Sequence, residues 1–182
     1  MYRPAESGFA TYFLSMLSDG DRNDAYEAGI AACLRAFAAE QGRAPVVLDL
    51  GCGTGLLTRF CFKYGACKVV GVDTNETMIA LCKRSVRDDR LTLFCGTVDD
   101  YAAEAEGEEV AFDVVVSETL GTLHTSENMP EYLRSAATYL RTFDEGKTYV
   151  VPQRATTRLR GVRPRSSLFS GWCLLDPWDR FV

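Results

Sequence analysis

Residues 46–57, Val-Val-Leu-Asp-Leu-Gly-Cys-Gly-Thr-Gly-Leu-Leu, decide the fold. The first five are apolar apart from Asp49 and begin with two β-branched valines, so they read as a short buried strand over 46–50. Glycines at 51, 53 and 55 follow at once, and the apolar pattern then resumes as a helix over 56–64 that Gly65 stops. A strand running through a glycine turn into a helix is half of a β-α-β unit, and the same rhythm continues downstream. KVVGVD (68–73) reads as a second strand, with Thr74 or Asn75 capping a helix over 76–87. LTLFC (91–95) is a third, followed by a turn or short helix at 98–104. AFDVVVS (111–117) is a fourth, followed by a helix over 128–141, and KTYVVP (147–152) is a fifth. Upstream, a helix begins near Asp21 or Asn23 and runs to Glu40, ended by Gly42 and Pro45. Continuous apolar strands alternating with helices predict an α/β fold, a mainly parallel sheet with helices on both faces. Ligands of such sheets bind beyond the strand C-termini. The glycine loop, Asp73, the 96–99 turn and Glu118 all fall there, on one rim.

Composition narrows the class. The 182 residues are 47% hydrophobic and 25% charged, as expected of one globular domain. No apolar run approaches membrane-spanning length, and MYRPAESGF lacks the apolar stretch of a signal peptide. The seven cysteines are scattered with no CxxC, which points to reduced thiols in a cytoplasmic or nuclear protein. A single histidine and dispersed cysteines point away from a metal centre. Residues 151–182 carry +4 (six Arg against Asp176 and Asp179), leaving about −9 of the total −5 on residues 1–150. An acidic body attracts basic partners and repels nucleic acid phosphates.

The glycine spacing selects the ligand. A dinucleotide loop needs glycine at position 56, where this chain has Leu56. The Asp49-x-Gly51-x-Gly53-x-Gly55 form instead resembles the loop of class I, Rossmann-like methyltransferases that use S-adenosylmethionine (SAM). Glycines let the backbone approach the ligand without a Cβ in the way. Asp73, at the end of the second strand, is placed to accept from both ribose hydroxyls. No arginine for a 2′-phosphate stands nearby. In the Cys95–Asp99 turn, a backbone N–H at Val98 and the Asp99 carboxylate are placed to read the adenine edge.

Two further acids define the reaction. In SETLGTLHTSENM (117–129), Glu118 and Glu127 each follow a serine and flank Gly121 and His124. A strand that delivers one carboxylate while a loop returns another forms a pincer for a flat cation. This segment, with VLDLGCGTGLLTRF, VVGVD and CGTVDDY in order, resembles the catalytic core of protein arginine methyltransferases, where it matches the double-glutamate loop. MLSDGDRNDAYEAGI upstream and VPQRATTRLRGV downstream extend the resemblance from about residue 12 to 165, closest to the type III branch that forms monomethylarginine. The resemblance implies that Glu118 and Glu127 clamp the substrate guanidinium. It implies that Arg22 pairs with the SAM carboxylate and that Met16 lies near the sulfonium. Met129 matches another cofactor-contacting methionine, and Asp99 stands where the family usually has Glu. Ordinary readings stand beside these: His124 as a solvated loop residue, Cys52 as a small residue in the turn, and Arg22 as the start of a helix.

The resemblance also implies arginine-containing basic proteins or peptides as substrates. Residues 1–152 form the SAM-binding domain, and 153–182 begin a β-barrel domain or dock as a tail rich in aromatics (Phe169, Trp172, Trp178, Phe181). The family's barrel carries a Thr-His-Trp loop that closes the site, and this chain has no such tripeptide. A homodimer or a partner chain supplying the barrel is therefore expected. A catalytically inactive SAM-binding partner of an active homologue is the alternative, and a small-molecule methyltransferase a weaker third.

Overall fold

The computed structural model describes residues 14–105, 109–120 and 128–156, with the side chain of residue 145 excepted. Successive side chains of β1 (Val46–Leu50) leave opposite faces of the pleat, and both faces are apolar. Val47 enters one core; Leu48 and Leu50 enter the other, and all three are buried. The pattern repeats in β2 (Lys68–Asp73) and β4 (Val114–Ser117), where Val69, Val114 and Val116 share the side of Val47 while Val70, Val72 and Val115 share that of Leu48. With β3 (Leu91–Cys95) and β5 (Tyr149–Val151) they form a parallel sheet in the order β3-β2-β1-β4-β5.

Helices cover both faces. On one lie α1 (Gly20–Gln41), through Ile30, Leu34 and Phe37, and α2 (Leu56–Lys63), through Leu57 and Cys61. On the other lie α4 (Val98–Glu104) and α5 (Met129–Thr138), through Val98 and Ala136. Between α2 and the far edge, α3 (Glu76–Ser85) buries Cys82 against Cys52 and Val86. Local chemistry sets the helix ends. Asp19 caps α1 by accepting from the Arg22 N–H at 3.1 Å, and Gly42 closes it in the left-handed conformation at φ 66°. Asn75 caps α3, and Thr97 with Asp100 forms a capping box on α4.

The expected strands and helices are all present; α1 runs slightly longer than expected, β1, β2, β3 and α4 match their expected bounds, and the other elements are shorter. The fourth strand begins at Val114 and not at 111; just before it, the buried Asp113 carboxylate is held by two half-exposed arginines. That carboxylate accepts from Arg43 at 2.7 Å on each oxygen, from Arg141 at 3.0 Å and from the Val46 N–H at 2.8 Å. The expected barrel start or docked tail from 157 onward lies outside the described residues.

The sheet order places the functional rim. The chain winds outward from β1 through β2 to β3, then returns to the other side of β1 as β4. The loops after β1 and β4 therefore diverge, and a crevice opens between them at the switch point.

Candidate cofactor and catalytic site

The glycine loop is held on the rim by β2, since the Gly51 and Cys52 N–H groups both donate to the Val72 carbonyl at 2.9 and 3.0 Å. Gly51 and Gly53 take φ of 75° and 51°, which side-chain-bearing residues avoid. A Cβ on Gly51 would stand 2.7 Å from Thr119 Cγ2, so the first glycine keeps the loops after β1 and β4 in contact. Ser117 reinforces that contact by donating to the Leu50 carbonyl at 2.9 Å.

A cavity of about 430 Å³ opens over this loop. Met16, Arg22, Gly51, Gly53, Asp73, Val98 and Glu118, all named from the sequence, line it together. Asp73 is fixed by two backbone donors, Gly53 N–H on one oxygen and Asn75 N–H on the other, each at 2.9 Å. A carboxylate accepts about four hydrogen bonds, so each oxygen keeps acceptor capacity for a hydroxyl in the cavity. Arg22 reaches across from α1 to Glu118 at 3.2 Å and donates to the Met16 carbonyl at 2.6 Å; its Nε is buried without an acceptor among the described residues.

Four predicted residues do not line the cavity. Asp49 shares the face of Val47 and points under the loop, where the Thr58 hydroxyl donates to it at 2.5 Å. Burial pushes its carboxyl up to about 7, partly opposed by the Thr58 hydrogen bond and reinforced by the charge of Asp73. Gly55 is a packing glycine: a Cβ there would meet Cys82 Sγ and Val86 Cγ2, each at 2.7 Å. Asp99 is exposed and accepts from the Ser135 hydroxyl at 2.5 Å and the Tyr139 hydroxyl at 2.9 Å, so its carboxylate ties α4 to α5. Met129 opens α5, while Asn128, Tyr132 and Ser135 line the cavity. Glu127 and His124 lie outside the described residues. Cys52 lines the cavity with its thiol pushed up by the neighbouring Cys82 and by burial, which keeps it protonated. Among the described residues no His, Cys, Asp and Glu cluster could hold a metal ion, and no helix is long and apolar enough to cross a membrane.

Tyr26, not anticipated from the sequence, stands one turn beyond Arg22. A second cavity of about 1010 Å³ lies between α1 and β5, and Arg22, Tyr26 and Glu118 are the residues lining both. Burial, then the charge of Glu118, raises the Tyr26 phenol well above its ordinary value; its hydroxyl is buried and has no partner among the described residues. The spacing of four from Arg22 was the available signal.

A glycine-lined cradle, a carboxylate with spare acceptor capacity and a largely buried cationic arm on the wall of one cavity fit a nucleoside that carries an amino acid. The family described as "Methyltransferase domain" matches residues 47–142, more than half of the chain. The chain belongs to this methyltransferase domain family. Among curated relatives, a malonyl-[acyl-carrier protein] O-methyltransferase of Priestia megaterium is 32% identical over 55% of this chain and 37% of its own length. Protein arginine N-methyltransferase 1 of Schizosaccharomyces pombe is 33% identical over 63% of this chain and 32% of its own. Protein arginine N-methyltransferase 7 of Danio rerio is 30% identical over 92% of this chain and 24% of its own. The chain thus spans well under half the length of these relatives. A solved Trypanosoma brucei PRMT1 enzyme-prozyme heterotetrameric complex with AdoHcy superposes with a TM-score of 0.58 at 29% identity, covering 76% of this chain and 41% of that one. The fold is the Rossmann-like fold of class I methyltransferases.

Proposed function

We propose that this chain is the SAM-binding, catalytic core of a protein arginine N-methyltransferase. The observation that carries this reading is the Arg22–Glu118 pair: the carboxylate after β4 lies on the wall of the glycine-loop cavity and already holds a guanidinium there. The arginine methyltransferases among its relatives support the acceptor.

SAM, when bound, supplies an electrophilic methyl group on a sulfonium. Arg22 would hold its carboxylate, Asp73 its ribose hydroxyls and the Val98 turn its adenine, while Gly51 and Gly53 admit it close to the backbone. A substrate guanidinium has a pKa above about 12 and arrives charged and weakly nucleophilic. Bringing that cation within 4 Å of a second costs about 4 kcal/mol at an effective dielectric near 20. Glu118, joined by Glu127 from the loop, offsets the cost by hydrogen-bonding the N–H fork. The two carboxylates also draw positive charge from the nitrogen that faces the methyl. Fixing the guanidinium plane supplies rate by positioning.

We also propose monomethylation, on the resemblance of 117–129 and the flanking segments to the type III branch. Substrates would be arginine-containing basic segments, met in the cytoplasm or nucleus. The six described cysteines are all free, in keeping with a reducing compartment. Residues 1–152 would form the SAM-binding domain, and 153–182 would begin a β-barrel domain or dock as a tail. A second reading, an inactive SAM-binding partner subunit, is favoured by the enzyme-prozyme assembly of the trypanosome relative.

The test is labelled SAM with an arginine-rich peptide. Label on arginine with the wild type, lost in Glu127→Gln, is the expected result. SAM binding without label, restored by an active homologue, supports the partner reading. A chain that binds no SAM excludes both.

A further inference from the structure

Two residues of α1 that line the glycine-loop cavity each carry a buried donor with no acceptor among the described residues: Arg22 Nε–H and the Tyr26 hydroxyl. They lie four residues apart, hence on one helix face. Buried donors are nearly always paired, so two unmet ones on adjacent turns mark a place for an acceptor. Arg22 commits Nη1 to Glu118 and Nη2 to Met16 and Asn23, which leaves the Nε edge. The Tyr26 phenol keeps its proton through burial and can only donate where an anion stands.

We propose that Tyr26 is a second recognition residue for the cofactor's amino-acid carboxylate. Its hydroxyl donates to one oxygen while Arg22 Nε–H donates to the other. This rests on the SAM reading above. A planar, singly charged group with two acceptor oxygens suits two donors one turn apart. Glu118, on the same wall, penalises a doubly charged phosphate more heavily than a carboxylate. Asp73, held by the Gly53 and Asn75 N–H groups, is the carboxylate of the cavity wall that suits hydroxyls.

The test is calorimetric titration of wild type and Tyr26→Phe with S-adenosylhomocysteine and with 5′-methylthioadenosine, which has the same nucleoside and no carboxylate. Losing one hydrogen bond to a charged group corresponds to a weakening on the order of ten- to a hundredfold. That loss is expected for S-adenosylhomocysteine alone, with 5′-methylthioadenosine affinity unchanged. The melting temperature of the ligand-free variant should equal or exceed that of the wild type, because the change removes an unmet buried hydroxyl. Equal losses for both ligands, no loss for either, or a lower melting temperature would overturn the proposal. A wild type that binds no S-adenosylhomocysteine would instead overturn the SAM reading beneath it.

Discussion

Replacing Asp49 by Asn tests the electrostatics under the glycine loop. The carboxyl is fully buried, one oxygen accepts from Thr58, and the other has no partner among the described residues. Burial lifts it from an ordinary 3.8 to about 7. A folded pKa above the unfolded one means that the native state holds the proton longer. The contribution to stability is therefore full below pH 3.8 and is lost as the pH rises through 7. Between pH 5 and pH 8 that loss amounts to about 3 kcal/mol, at about 1.4 kcal/mol per pH unit where the two states differ by one proton. Asparagine does not titrate. Urea unfolding of both proteins at the two pH values should show the variant gaining on the wild type by about that amount toward pH 8. A difference that stays constant with pH, or one that shrinks toward pH 8, would refute the reasoning.

Gly55→Ala adds a Cβ 2.7 Å from both Cys82 and Val86 at φ 87°, and urea denaturation should register roughly 2–4 kcal/mol of destabilisation. Arg22→Lys keeps the charge but loses the fork and the Nε donor. S-adenosylhomocysteine binding should weaken about tenfold by calorimetry with the fold intact by circular dichroism. Asp113→Asn disturbs a buried carboxylate bound by Arg43, Arg141 and the Val46 N–H. Both arginines are 40% or more exposed, which lowers the expected cost to about 2–3 kcal/mol at pH 7. Burial acts against the Asp113 charge, but the hydrogen bonds outweigh it and hold the carboxyl below its ordinary 3.8. The gap between variant and wild type should therefore close as the pH falls below 3.8.

The sheet and its rim were legible because they depend on local patterns: apolar strands, glycines that only a positive φ explains, and acids at strand ends. What a side chain faces depends on partners distant in sequence. Asp99 was read toward adenine, yet Ser135 and Tyr139, a helix away, draw its carboxylate aside. Asp49 was read with the glycine motif as a cofactor residue, although strand parity with Val47 already placed it on the α2 face. Gly55 shared the spacing of Gly51 and Gly53, but its role comes from the closeness of α3, which no local pattern records. Tyr26 lay within the resembling segment 16–30 but had no assigned role, and its place emerged only where α1 brings it onto the cavity wall with Glu118.

On the proposed function, Glu118 serves the chemistry while Arg22, Asp73 and the glycine loop serve the cofactor. Measuring Glu118→Gln for methyl transfer to an arginine peptide and for S-adenosylhomocysteine affinity tests it in one variant. The expected result is a loss of turnover of about a hundredfold or more, as for one electrostatic group in a preorganised site, with the ligand affinity nearly preserved. Turnover that survives, or affinity that collapses in parallel with it, would rule out this division of roles.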